Sequence, residues 1–254
     1  MKNKLSIMVL MLTMIGNAQL KAVSYTDGEQ KLNGFAIAPE KSMKSKPGVL
    51  VLPAWKGIDD HSKEVAQNLS KLGYYAFVAD IYGEGNYPKD AKEAGEKSGF
   101  YKKNYKDYQK RIQLALQQLI KAGANANNIV VIGYCFGGTG ALEAVRANMN
   151  IKAGVSFHGG LGKEAGRFNN ILQPKVLVLH GADDFFVPQK DIDAFQTEMR
   201  DGKADWQMIY YADAVHAFTE RSAGNDKSKG VAYNEKADKR SWQHLLLFLQ
   251  EVLE

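Results

Sequence analysis

The chain has 254 residues, 45% apolar and 24% charged, enough apolar character for a large packed core and too much for a disordered tail. Its 24 glycines follow no three-residue period and come with only 6 prolines, which excludes a collagen-like or low-complexity chain, and the single cysteine, Cys135, excludes a disulfide framework. Thirty-three basic against 28 acidic residues leave a net charge of +5, a lysine-rich balance that reads as a solvated surface rather than a nucleic-acid footprint.

In chain order, a targeting segment comes first. Lys2 and Lys4 precede the apolar run Leu5 to Ile15, and Gly16, Asn17 and Ala18 supply the small residues that a signal peptidase needs. Residues 1–18 are therefore expected to be a cleaved secretory signal, because the run is well short of the roughly 20 residues that span a bilayer. No later segment qualifies as a transmembrane helix, so the expected protein is exported, periplasmic or secreted, and keeps no stable membrane anchor. Residues 19–254 are expected to form one domain. In an oxidising compartment a lone exposed thiol is vulnerable, so Cys135 is either buried and inert or kept reactive for a purpose.

Ala22 to Tyr25 and Leu32 to Ala38 flank Asp27-Gly28, a dipeptide suited to a tight hairpin turn, and predict two antiparallel edge strands. Gly48 to Leu52 is continuously apolar, as in a strand buried on both faces of a parallel sheet. Ile58, Val65, Leu69 and Leu72 share one helical face, Gly73 stops that helix, and Tyr74 to Ile81 predicts the next strand. The stretch 82–104, rich in Gly, Lys and Tyr, predicts a long irregular segment of the kind that serves as a lid. Tyr101, Tyr105 and Tyr108 recur near helical spacing, which turns tyrosines inward and leaves Lys102, Lys103 and Lys106 solvated, and argues against a nucleic-acid patch.

A stripe of Tyr108, Ile112, Leu116 and Leu119 then predicts a helix, followed by a strand over Ile129 to Gly133 and a helix from about Gly138 to Asn148. Strands over Ala153 to Phe157 and Val176 to His180 follow. A helix with Ile192, Phe195 and Met199, a strand over Trp206 to Tyr211 and a last helix with Trp242, Leu245, Leu249 and Val252 complete the pattern. Strands alternating with helices imply right-handed crossovers and a three-layer α/β fold, its sheet mostly parallel and doubly wound behind an antiparallel N-terminal hairpin.

Cys135 lies in Gly133-Tyr134-Cys135-Phe136-Gly137-Gly138, directly after a buried strand and before a helix. A nucleophile on so sharp a turn has a strained backbone, and the residues two positions away on each side must be small. Such a turn aims the helix N-terminus at the sulfur, where the dipole favours a thiolate and the Phe136 amide can donate to an oxyanion. An acid and a histidine must then follow at the ends of later strands. Asp183 and Asp184 follow the strand ending at His180, chemically equivalent and separated only by the direction of the turn, and His216 follows the strand ending at Tyr211. The order nucleophile, acid, histidine and the separations, each about one βα unit, suit a triad on this topology. His61, His158 and His180 lie on separate elements without paired ligand spacing, so no metal is expected.

The GYCFGG turn, Asp184 in Asp-Phe-Phe-Val-Pro, His216 in His-Ala-Phe and the segment Asp80-Ile81-Tyr82-Gly83 together resemble the dienelactone hydrolase family of the α/β-hydrolase superfamily, over about Val23 to Glu254. The resemblance implies an α/β-hydrolase fold, Cys135 as nucleophile, Asp184 rather than Asp183 as the acid, and His216 as base. Matching Gly57 to a glycine of the family makes the amide of Trp55 the second oxyanion donor beside that of Phe136. Family members that open dienelactone carry a glutamate three residues before that glycine, which takes part in switching on the cysteine; here Ala54 stands there. They also hold the substrate carboxylate with arginines, whose matching places here are Glu84 and Glu220, with Arg221 one residue away. Glutamates repel a carboxylate, so a different substrate is expected.

The expected function is hydrolysis of a small carboxylic ester or lactone through an acyl-cysteine, with no cofactor. The alternative is a noncatalytic small-molecule-binding protein that kept the fold, in which the cysteine, without the glutamate switch, rests turned away from His216.

Overall fold

In the computed structural model, which describes residues 19–253, the chain forms one eight-stranded sheet with strand order β1-β2-β4-β3-β5-β6-β7-β8. The expected signal segment lies outside the described residues. The antiparallel hairpin is β1 (Lys21–Asp27) and β2 (Gln30–Ile37), and β2 runs antiparallel to β4 (Tyr75–Val78). The remaining strands are all parallel: β3 (Gly48–Leu52), β5 (Ile129–Tyr134), β6 (Ala153–Phe157), β7 (Lys175–Gly181) and β8 (Trp206–Tyr211). Every residue of β3, β5 and β6 is buried, which is why these strands read as continuous apolar runs.

Because side chains alternate across a strand, each central strand feeds two cores. Val49, Val51, Val130 and Ile132 pack on one face against α1 (Asp60–Lys71) and α6 (Glu235–Leu253), through Val65, Leu69, Leu245 and Leu249. Leu50, Leu52 and Val131 point the other way, onto α3 (Tyr105–Lys121) and α4 (Phe136–Arg146). On that same side α5 (Gln189–Asp201) packs Ile192, Phe195 and Met199 against Leu142, Val145, Val176 and Val178. The result is helices on both faces of a doubly wound, mostly parallel sheet, as the alternation in the sequence required.

Three expectations need correction. The stretch 82–104 is not irregular: α2 (Ala91–Lys103) fills its second half, capped by Asp90, whose side chain accepts from the Glu93 amide. Gly95 and Gly99 lie inside this helix and only Ala94, Ser98 and Tyr101 are buried, so its apolar stripe is too thin to read as periodic. The strand expected to run to Ile81 stops at Val78, because the Asp80 carboxylate accepts from the amides of Asn33 and Gly83 and from the Tyr87 hydroxyl, turning the chain out of the sheet. The helix expected from about Gly138 to Asn148 starts and ends two residues earlier, directly behind Cys135.

The C-terminal end of α4 is anchored by charge. Arg146 is buried, donates to Glu143 and Glu198 at 2.8–3.0 Å and to the carbonyl of Leu161, while Arg167 closes on Glu143. The cluster ties the helix that starts at Cys135 to α5 and to the loop after β6. Removing one partner of such a buried pair strands the others. Arg146→Met should cost about 3 kcal/mol of stability in urea denaturation, and adding Glu198→Gln should recover part of that loss.

Candidate active site

The turn between β5 and α4 is built by contact. Cys135 has φ +53° and ψ −112°, a region that non-glycine residues rarely occupy. A side-chain carbon on Gly133 would lie 1.9 Å from the carbonyl oxygen of Gly137, and one on Gly137 would lie 2.1 Å from that of Leu52. Both positions therefore exclude every larger residue. Phe136, buried at the first turn of α4, is clamped between Tyr82 and Tyr108 rings at centroid distances of 5.9 and 4.5 Å, and Tyr108 donates to its carbonyl.

The acid and the imidazole arrive on two neighbouring loops that are tied together. The Asp183 amide donates to the Ala214 carbonyl and the Ala182 amide to that of Tyr211. The backbone of His216 is pinned on both sides, its amide donating to Gly230 and its carbonyl accepting from Ala232. Only one of the two aspartates is brought to the imidazole. Asp184 is buried, its Oδ2 lies 2.8 Å from His216 Nδ1 and its Oδ1 accepts from the Phe186 amide, while Asp183 points to solvent. On the other side of the ring, His216 Nε2 lies 3.1 Å from Cys135 Sγ. The thiol is thus turned toward the imidazole although Ala54 replaces the family's glutamate.

Burial disfavours charge on both partners, yet their contact reverses the outcome. The hydrogen bond and charge of His216, the more distant charge of Lys102 and the Phe136 amide hold the Cys135 thiol below its ordinary pKa. Desolvation likewise opposes protonation of His216, but its hydrogen bonds to Asp184 and Cys135 push it up to about 10. Each partner thus favours the charged form of the other, and the pair titrates as a unit. His158 packs its ring 5.4 Å from that of His216, donates to or accepts from Thr219 Oγ1 at 2.8 Å, and is held neutral by burial and by the neighbouring histidines.

The sulfur opens into a cavity of about 490 Å³ lined by Ala54, Trp55, Lys102, Phe186, Val187 and Glu220, among others. Trp55 sits where an oxyanion donor is expected, and its carbonyl accepts from the Tyr82 hydroxyl at 2.6 Å, which fixes the loop after β3. Of the two glutamates matched to carboxylate-binding positions, only Glu220 lines this cavity. Glu84 is half-exposed at the far hairpin, paired with Lys31 and Asn33, and Arg221 points outward beside Glu64. Lys102 and Tyr82 are contributions that residue spacing did not reveal, since α2 was not legible; the signal for Tyr82 was its place in the Asp-Ile-Tyr-Gly segment. The described residues hold no group of three or more His, Cys, Asp or Glu placed for a metal ion, His61, His158 and His180 included.

Comparison with known proteins agrees with this fold. The model of the dienelactone hydrolase family matches residues 32–253. A Bradyrhizobium relative named "Probable 2-oxo-3-(5-oxofuran-2-ylidene)propanoate lactonase" is 28% identical over 237 residues, covering 89% of this chain and 91% of its own. Among solved structures, the dienelactone hydrolase-like promiscuous phosphotriesterase P91 from metagenomic libraries superposes with a TM-score of 0.87 at 35% identity, over 94% of this chain and all of its own. A chain titled m3DLH gives 0.88 at 33% identity with the same coverage.

A lowered thiol pKa is measurable. At pH 6, where an ordinary cysteine of pKa about 8.5 is almost wholly protonated, Cys135 should be alkylated by iodoacetamide at least about tenfold faster than glutathione. His216→Gln should abolish that advantage.

Proposed function

The chain belongs to the dienelactone hydrolase family and is a carboxylic-ester hydrolase, and from that premise we propose that it cleaves esters or lactones with a Cys135-His216-Asp184 triad through an acyl-cysteine. The observation that carries the reading is the continuous relay from Asp184 Oδ2 through the imidazole to Cys135 Sγ, with contacts of 2.8 and 3.1 Å. The Cys135 thiolate attacks the carbonyl carbon, and the displaced π pair collects on oxygen, facing the amides of Phe136 and Trp55. Phe136 heads α4, so its amide has no acceptor within the helix. As the C–O bond breaks, His216 Nε2 gives its proton to the leaving alkoxide. The acyl group now rests on sulfur as a thioester. His216, neutral, next takes a proton from water; the hydroxide adds to the thioester carbonyl, and collapse releases the acid and restores the thiolate. Asp184 keeps the imidazole oriented and supports its positive form throughout.

A substrate other than dienelactone fits the cavity better. Ala54 and Glu220 stand where a dienelactone-opening site would need a switching glutamate and a carboxylate-binding arginine, and Asp59 adds a second acid to the wall. A binding protein without turnover has less support, because its expected resting thiol would stand apart from the imidazole.

With p-nitrophenyl acetate as probe, Cys135→Ala should lower kcat by at least about 10³, and Asp184→Asn by about 10²–10⁴ with little change in KM. Equal rates for wild type and Cys135→Ala would sink the triad. Intact-mass and peptide analysis during slow ester turnover should place a single acyl group on Cys135; an adduct on another residue overturns the assignment.

A further inference from the structure

Glu220 stands where two cavities meet. The cavity around Cys135 shares Asp59, Glu220 and Ser222 with a second one of about 570 Å³, framed by the start of α1, the end of β5, the segment after His216 and α6. Glu220 is only 9% exposed, yet its Oε1 is buried without a hydrogen-bond partner. The same holds for His61 Nε2, which lies 3.9 Å away, too far for the two to satisfy each other. Two orphaned polar atoms facing one another across a cavity wall are costly, and such groups persist where a ligand completes them.

Acidic groups dominate the charge acting on Glu220. Burial, and then repulsion from Asp59 and Asp238, raises Glu220 to about 8, while His216 acts in the opposite direction. His61 is kept neutral chiefly by burial, so that its ring nitrogen is available as an acceptor. The two cations at the rim are directed elsewhere: Arg221 is 71% exposed beside Glu64, and Lys239 is 73% exposed and held by Glu235 at 2.6 Å. Glu64 and Asp60 add further acid at the α1 edge, and Trp242 presents an indole from α6. A primary ammonium fits this wall. It carries three donors and no acceptor, and a nitrogen about 2.9 Å from each of two acceptors spans a gap of this width. Its charge relieves the repulsion among Glu220, Asp59 and Asp238, and an indole alongside favours a cation.

We propose that this second cavity is a subsite for a primary ammonium group on the ester substrate, held between Glu220 and His61, so that the enzyme selects amine-bearing esters. The proposal deepens the ester-hydrolase reading and rests on it for its meaning as a substrate subsite. Its test does not depend on thiol chemistry. Hexylammonium, 1-hexanol and hexanoate are titrated calorimetrically into the full chain, into Glu220→Gln and into Asp238→Asn. Hexylammonium should bind the unsubstituted chain at least about tenfold tighter than either analogue, a preference that Glu220→Gln reduces to about twofold or less and Asp238→Asn reduces only partly.

The groups facing Glu220 are Asp59, which caps α1, His61 and Glu64 from α1, Tyr134 from β5, His216 and Arg221 from its own loop, and Asp238 and Lys239 from α6. Of these and Glu220 itself, Glu220 alone has its midpoint placed near 8, so hexylammonium should bind tighter at pH 9 than at pH 7, the ligand remaining protonated with a pKa near that of lysine, about 10.4. Hexanol binding as tightly as hexylammonium, and weakening above pH 8, would overturn the proposal in favour of a hydroxyl taking a proton from neutral Glu220. Hexanoate binding best, or none of the three binding, would overturn it as well. In each of those cases the triad would stand, whereas equal p-nitrophenyl acetate rates for the unsubstituted chain and Cys135→Ala would strike the triad and leave the ammonium preference readable.

Discussion

Everything in the site hangs on one steric constraint, the fit of the turn at Cys135 between β5, α4 and the end of β3. The residue sits at φ +53°, and the two glycines on either side let the backbone of α4 approach Gly133 and the Leu52 carbonyl closely enough to hold it there. Strain of this kind costs of order 1–3 kcal/mol and survives only where surrounding packing outweighs it. Here the packing is the fully buried β5, the Phe136 ring clamped by Tyr82 and Tyr108, and the buried Arg146 cluster at the far end of α4. The strained turn lifts Sγ above the sheet, and the following helix places the Phe136 amide beside it.

Given that position, the electrostatics follow. A thiol and an imidazole both resist charging when buried, so neither would ionise alone. At 3.1 Å each stabilises the charged form of the other, and Asp184, buried behind the ring, extends the stabilisation to the imidazolium. The contact with His216 therefore lowers the thiol pKa of Cys135 although Ala54 supplies no carboxylate. His158 sharpens this arrangement. Packed against His216 and itself neutral, it provides an uncharged neighbour behind the imidazole.

The cavity wall shows how sequence position and spatial role separate. Glu84 and Glu220 look alike as replacements for arginine, yet Glu84 belongs to an exposed hairpin network and only Glu220 reaches the cavity. α2, hidden in the sequence by its two glycines and its thin apolar face, brings Lys102 to the same opening. The cavity thus combines the Lys102 cation with the acidic residues Asp59 and Glu220 in one wall.

The sequence by itself determined the alternation of strands and helices, the antiparallel hairpin at the edge, and the candidates Cys135 and His216 that the structure brings together, because these depend on local signals: burial periodicity, turn glycines and a cysteine between two small residues. It left Asp183 and Asp184 equivalent on local grounds, separated only by resemblance, and it offered no reading of α2 or of the Glu220 and His61 pair. Those were decided by tertiary structure, since they depend on the direction in which a loop turns and on which distant elements meet. The two aspartates differ only in which one the β7 and β8 loops press toward the imidazole. Glu220 acquires its raised pKa and its orphaned oxygen only when α1 and α6 close over it, and no spacing along the chain encodes that enclosure.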